Sequence, residues 1–397
     1  MATVKKTSEE SNQLFYGDNL DVLRKYIKDE TIDLCYIDPP FNSKRNYNQI
    51  YNNIGKEDKA QAQAFVDTWT WDDIAEEGLA EIVGNHGGVF TKQSILLIFG
   101  LKDVIGKGSL LAYLISMTLR IAEIQRVLKP TGSFYLHCDP TASHYLKLIL
   151  DSIFCGKGGD FKNEIIWCYS IGGKSKNRFG AKHDVIFYYT KSSKDIHTFN
   201  ESGASIPRKL NTHMKMGKDA DGRVYQEKVD RKSQKVYRYY LDEGKIAEDY
   251  WIDIETLNRE DRERLGYPTQ KPEKLLERII NTSSNKGDVI LDAYCGCGTT
   301  VAVAEKLKRK WIGIDITYQS ISLILKRLKD SYGDEAFKSV KINGVPQDLE
   351  SAIALANKSD DRTRKEFEKW AVLTYTQNKA IINEKKGGDG GIDGIVF

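Results

Sequence analysis

The chain has 397 residues, long enough for one large catalytic domain with inserted or appended pieces. Its composition, 40% hydrophobic and 29% charged, holds no apolar run able to cross a bilayer, and the polar start lacks the core of a signal peptide, so no membrane partner and a cytoplasmic location are expected. A net charge of +3 leaves a polyanionic partner open, and six cysteines without Cys-x-x-Cys spacing argue against a disulfide framework and against a metal.

In chain order, a short apolar strand at 14–16 ends in Gly17-Asp18, a helical pattern covers 20–27, and a buried strand at 32–37 ends in Asp38-Pro39-Pro40-Phe41. Residues 42–107 show no clear period and are expected to be an irregular functional loop region, with Trp69 and Trp71 among its aromatics. A helix at 110–128 stops at Lys129-Pro130-Thr131-Gly132. A strand at 133–137, a helix at 143–153 and strands at 164–167 and 184–189 follow. Residues 195–261 are polar, basic and rich in tyrosine, and read as an insertion. The alternation then resumes with a helix at 275–281, a strand at 289–293, a helix at 300–307, a strand at 311–314 and a helix at 320–329. This order predicts an α/β, Rossmann-like fold with a mostly parallel sheet and late antiparallel strands.

Two constellations carry chemistry. The first is Asp292-Ala293-Tyr294-Cys295-Gly296-Cys297-Gly298-Thr299-Thr300, between a buried strand and a helix, followed by a strand ending at Asp315. Gly296 and Gly298 let the backbone turn tightly and approach a ligand, as they would also in an ordinary turn. Asp315, at the next strand tip, suits ribose hydroxyls. Val301 stands where a dinucleotide fingerprint requires a third glycine, and Asp292 fits a methionine amino group better than a pyrophosphate. Both points favour S-adenosylmethionine.

The second constellation is Asp38 to Phe41 at a strand's carboxyl end, where open α/β sheets place ligands. The Asp38 side chain and the Pro39 carbonyl would accept both N–H groups of an exocyclic amine, Pro40 stiffens the turn, and Phe41 would stack on the base. A paired base must first be flipped out of the helix.

With these motifs, with Gly17-Asp18-Asn19 and with Tyr267-Pro268-Thr269-Gln270-Lys271-Pro272, the chain resembles the permuted, beta-type bacterial DNA amino-methyltransferases over residues 13–329. The resemblance implies a circularly permuted motif order and an S-adenosylmethionine-dependent methyltransferase fold. It implies that Asp18 and Asn19 face the cofactor adenine, that Thr269, Gln270 and Lys271 face its methionine end beside Asp292, Tyr294, Gly296, Gly298, Thr299 and Asp315, and that Asp38, Pro39, Pro40 and Phe41 are catalytic. The implied target is N6 of adenine in double-stranded DNA, with cytosine N4 as the alternative. Enzymes that methylate RNA bases or protein glutamine, and a catalytically silent DNA-binding module, are the other readings. The insertion at 195–261, with its lysines, arginines and tyrosines, would be the target-recognition region.

The expected division is a methyltransferase domain at 13–335, a connector at 336–362 and, at 363–397, the truncated start of a nuclease-like domain. The last part resembles an Mrr-like restriction endonuclease opening, with Asp393 as its first metal-binding acid and a terminal strand without a partner. A restriction-modification system, a homodimer and a fused or associated nuclease are the corresponding expectations.

Overall fold

A computed structural model describes residues 11–41, 45–53, 56–67, 69–170, 176–177, 179–211, 213–267, 269–345, 357, 367–368, 370–372, 375–376, 380–382 and 394–396; for 45–53, 56–67, 334–338, 380–382 and 394–396 it describes the backbone alone. The central sheet has nine strands: β1 (Gln13–Tyr16), β2 (Ile32–Ile37), β3 (Leu128–Cys138), β4 (Asp160–Cys168), β5 (His183–Thr190), β6 (Tyr250–Trp251), β7 (Val289–Asp292), β8 (Lys310–Asp315) and β9 (Lys341–Asn343). Their spatial order is β6-β4-β5-β3-β2-β7-β8-β1-β9. All neighbours run parallel except the two pairings made by β5. The expected α/β architecture is therefore the observed one.

Eight helices position this sheet: α1 (Asn19–Tyr26), α2 (Asp73–Gly84), α3 (Lys92–Ile105), α4 (Ser109–Val127), α5 (Ser143–Ile153), α6 (Glu273–Ser283), α7 (Thr299–Lys306) and α8 (Tyr318–Lys338), the last kinked at Gly333. Strand side chains alternate between two cores, as a pleated sheet covered on both faces requires. Cys35 and Ile37 face a core shared with α1 to α5, while Leu34 and Tyr36 face one shared with α6, α7 and α8. Pro130 keeps α4 from continuing: its preceding residues are already extended, and β3 begins directly at Leu128.

The region expected to be irregular, 42–107, instead contains a hairpin of Arg45–Asn53 with Lys56–Asp67, followed by α2 and α3. Helix α3 keeps Leu96, Phe99 and Val104 exposed, so its apolar residues are spread around the helix and no clean stripe marks it in the sequence. Within 195–261, Lys215–Lys218, Val224–Val229 and Val236–Tyr240 form a separate three-stranded antiparallel sheet. The final part of that segment rejoins the main body, since β6 pairs with β4 and Ile254 is buried in the second core. Gly394–Val396, expected to lack a partner, pairs antiparallel with Ala380–Ile382. Most of the nuclease-like run, Asp393 included, lies outside the described residues, as does Pro268. Among the described residues no helix is long and apolar enough to cross a membrane.

Candidate active site

Sheet order converts scattered motifs into one cluster. Strands β2, β7, β8 and β1 are adjacent and parallel, so their carboxyl ends open on the same edge. Those ends carry Asp38, Asp292, Asp315 and, after the Gly17 turn, Asp18. All four line one cavity of about 1010 Å³, together with Pro39, Pro40, Phe41, Asn19, Thr269, Lys271, Tyr294, Gly296 and Thr299.

At the mouth of β1, the Asp18 side chain caps α1 by accepting from Leu20 N at 2.8 Å, and its other oxygen accepts from Arg120 at 2.8 Å. Arg120 also donates to Asn19 Oδ1 at 2.5 Å, while Asn19 Nδ2 donates to the Ala293 carbonyl at 2.8 Å. Asn19 thus ties the β1 turn to the glycine loop after β7, and Arg120 from α4 braces both Asp18 and Asn19. Arg120 was not anticipated; its signal was the first charge in a helix that carries none from Ser109 to Leu119.

Asp292 is buried, and burial, reinforced by the nearby Asp38 and Asp315 charges, pushes its carboxyl up to about 7 against the hydrogen bonds from Thr300 and the Tyr294 amide. Burial likewise raises Asp315, although Gly296 N and both the amide and hydroxyl of Thr317 donate to it at 2.9 Å. Gly296 adopts φ of 50°, and a Cβ there would stand 3.1 Å from the Tyr267 ring. Buried acids, a loop held close by its glycine and a roomy cleft suit a ligand bearing a cationic amine and ribose hydroxyls, which fits S-adenosylmethionine.

Across the cavity, Lys271 Nζ donates to Asp38 Oδ2 at 2.6 Å and lies 5.2 Å from the Phe41 ring centre. The pair joins residues 233 positions apart in the chain. Thr269, exposed at the rim, holds φ of 61°. Asp38 Oδ1 is buried and lacks a hydrogen-bond partner among the described residues, a costly state for a carboxylate oxygen unless a donor is to arrive.

Two residues expected in the site do not line it. The Gln270 amide is consumed locally, accepting from Leu265 N at 2.8 Å and donating to the Glu263 carbonyl at 2.7 Å. Gly298 sits behind the rim as the left-handed N-cap of α7, packed on Ile324.

The sequence pattern of the DNA methylase family, N6/N4 type, matches residues 32–326. The chain is 27% identical over 335 residues to DNA adenine methyltransferase YhdJ of Escherichia coli, covering 84% of this chain and 88% of that protein. It is 29% identical over 234 residues to the type II methyltransferase M.HpaI of Haemophilus parainfluenzae, covering 59% of this chain and 65% of that one. With the type II methyltransferase M.BamHI of Bacillus amyloliquefaciens it shares 28% over 325 residues, covering 81% and 58%. Among solved structures, PvuII DNA methyltransferase (cytosine-N4-specific) aligns with 84% of this chain and 95% of its own at 15% identity and a TM-score of 0.48.

Proposed function

The chain belongs to the DNA methylase family of N6/N4 type, and from that premise we propose that it methylates N6 of a flipped adenine in double-stranded DNA, using S-adenosylmethionine. The observation that carries this reading is the unpartnered, buried Oδ1 of Asp38 in the same cavity as Asp292 and Asp315. Asp292 would meet the cofactor's amino group, Asp315 its ribose, and Asp18 and Asn19 its adenine. When bound, the cofactor supplies a methyl group on a positively charged sulfur. Asp38 Oδ1 and the Pro39 carbonyl would accept the two N–H groups of the target amine, turning its lone pair toward that methyl group, with Phe41 stacked on the base. Transfer would form a C–N bond at the expense of the cofactor's C–S bond, and the proton released from the nitrogen would pass to Asp38 Oδ1, which accepts its hydrogen bond, and on to water.

Adenine is favoured over cytosine N4 by the resemblance around Asp38 to Phe41 and by the YhdJ relative, which is named for adenine. The permuted order gives β1 a physical role in this reading: the chain's beginning supplies the strand beside β8, with Tyr16 opposite Asp315. The exposed basic residues of 195–261 would be the target-recognition surface. Resemblance supports membership of a restriction-modification system and a linked nuclease opened by Asp393, the polar start and lack of a membrane-spanning run support a cytoplasmic location, and a homodimer belongs to the same reading. Incubating unmodified DNA with the protein and labelled S-adenosylmethionine, followed by nucleoside mass spectrometry, tests the whole reading. N6-methyladenine is the expected product; N4-methylcytosine would replace the target, and no label in DNA would overturn the function.

A further inference from the structure

Behind the cavity, three side chains from neighbouring strands form a buried polar chain to which the chemistry above assigns no task. The Tyr36 hydroxyl on β2 lies 2.8 Å from His137 Nδ1 on β3, and His137 Nε2 lies 3.0 Å from Asp184 Oδ2 on β5. Tyr169 donates to the other Asp184 oxygen at 3.1 Å. His137 is fully buried, whereas Tyr36, almost as deep, still lines the cavity. The His137 ring lies nearly flat beneath Phe41, with centroids 5.9 Å apart at 25°, and stands edge-on to Trp167 at 5.5 Å. Buried polar groups weaken a core unless all are satisfied, so packing alone would have been served by apolar residues here.

Hydrogen-bond chemistry gives the chain a direction for a His137 ring that carries one proton. Burial pushes the Asp184 carboxyl up, but the hydrogen bonds from His137 and Tyr169 and the positive charge facing it, Lys271 included, outweigh it and hold the group below the usual carboxylate range. An ionised carboxylate only accepts, so Nε2 carries the proton. In the neutral ring Nδ1 is then an acceptor, and it takes the single proton of Tyr36. The Tyr36 oxygen is left with lone pairs and no proton to offer the cavity. Tyr36 and Asp38 lie two positions apart on β2 and its end, so both acceptors belong to the same stretch of the wall.

We infer that Tyr36, His137 and Asp184 form a positioning relay for methyl transfer. His137 holds the Phe41 ring in the plane on which the target base stacks, and it fixes the Tyr36 hydroxyl as an acceptor beside Asp38. The relay favours an amine, which donates, over a carbonyl at this wall. This rests on the reading of the cavity as an amino-methyltransferase site.

The test compares Tyr36→Phe, His137→Phe and their double variant in labelled-methyl transfer to DNA, alongside 15N-histidine NMR of the whole protein. His137→Phe keeps a ring beneath Phe41 and removes both hydrogen bonds; Tyr36→Phe keeps all packing. Each single change should lower kcat about 10- to 100-fold, with the KM for S-adenosylmethionine within about 2-fold, because a small misplacement of reacting groups has effects of this order. The double variant should lose no more than the worse single one, as expected of groups acting as one unit. In the NMR spectrum, with His137 assigned by its loss in His137→Gln, Nε2 should be protonated and Nδ1 bare, and Asp184→Asn should disturb that tautomer. A wild type that methylates no DNA overturns the enzymatic reading and the relay's purpose together. A protonated Nδ1, wild-type kcat in Tyr36→Phe, or fully additive losses overturns the relay alone.

Discussion

Lys271 Nζ and Asp38 Oδ2 are 2.6 Å apart, both largely buried, so the side chain that closes one wall of the cavity also holds the acid on the other. The pair orients Asp38: with Oδ2 committed to the ammonium, Oδ1 is the oxygen left for a substrate donor.

Lys271→Met should therefore abolish most methyl transfer and also destabilise the fold, because it leaves a carboxylate buried without its counter-charge. Losing one partner of a fully buried pair costs about 3–5 kcal/mol, and the partial exposure of Asp38 puts the expected loss below that range. Asp38→Asn keeps an oxygen that can accept from Lys271, so it should destabilise the fold less than Lys271→Met while losing product formation by at least about 100-fold, on the scale of misplaced or missing catalytic groups. Thermal melts beside label transfer separate the two; an Asp38→Asn protein with full activity would remove Asp38 from the mechanism.

Asp292 predicts a pH signature. Its folded-state carboxyl lies near 7, above the ordinary 3.8, so the folded chain holds a proton that the unfolded chain releases. Stability should fall as pH rises from about 4 to about 7 and then level, by up to a few kcal/mol. Asp292→Asn should flatten that slope without loss of stability at pH 8. A cationic amine bound beside Asp292 favours its ionised form, so S-adenosylmethionine should bind more tightly at pH 7.5 than at 6 and release a proton as it does. Calorimetry in buffers of different ionisation enthalpy measures that proton; uptake instead of release would mean that Asp292 does not face the amine.

The four strand-tip acids were legible because each follows a short buried apolar run, and parallel strands put such positions on one edge. Asp18 carried an additional local signal as the cap of α1. What was not legible depends on distant pairing. Nothing near Lys271 announces Asp38 as its partner, and nothing near His137 announces Tyr36 and Asp184, because the β2-β3-β5 adjacency is created only by the fold. Gln270 was placed in the site by its neighbours in a motif, yet the tight turn at Thr269 directs the next side chain back to Glu263 and Leu265. The helices α2 and α3 were missed because apolar residues outside their buried stripes blurred the period.

Gly298 should be intolerant for structural reasons, not catalytic ones. It holds φ of 76°, and an added Cβ would stand 2.6 Å from Ile324 Cγ1, so Gly298→Ala meets both left-handed strain and overpacking. Together these cost about 2–5 kcal/mol. The substitution should lower the melting temperature markedly. Equal melting of wild type and Gly298→Ala would contradict the turn geometry.

The basic, tyrosine-rich segment 195–261 divides into residues that hold its small sheet together and residues that face outward. Arg223 binds Asp242 and Glu243 and lies over the Tyr240 ring at 4.1 Å, and Arg238 pairs with Glu227 over Tyr225 at 4.7 Å. These arginines are expected to matter for the small sheet more than for DNA. Lys215, Lys218 and Lys228 are exposed on the same sheet. If they touch phosphates, replacing all three with alanine should reduce the slope of log affinity against log salt by about 2.7, since each neutralised phosphate contributes about 0.9. The melting temperature should stay unchanged, whereas Arg223→Ala should lower it. Filter binding to duplex DNA across a salt series reads the slope directly, and a triple variant with the wild-type slope would move the DNA-binding face away from this sheet.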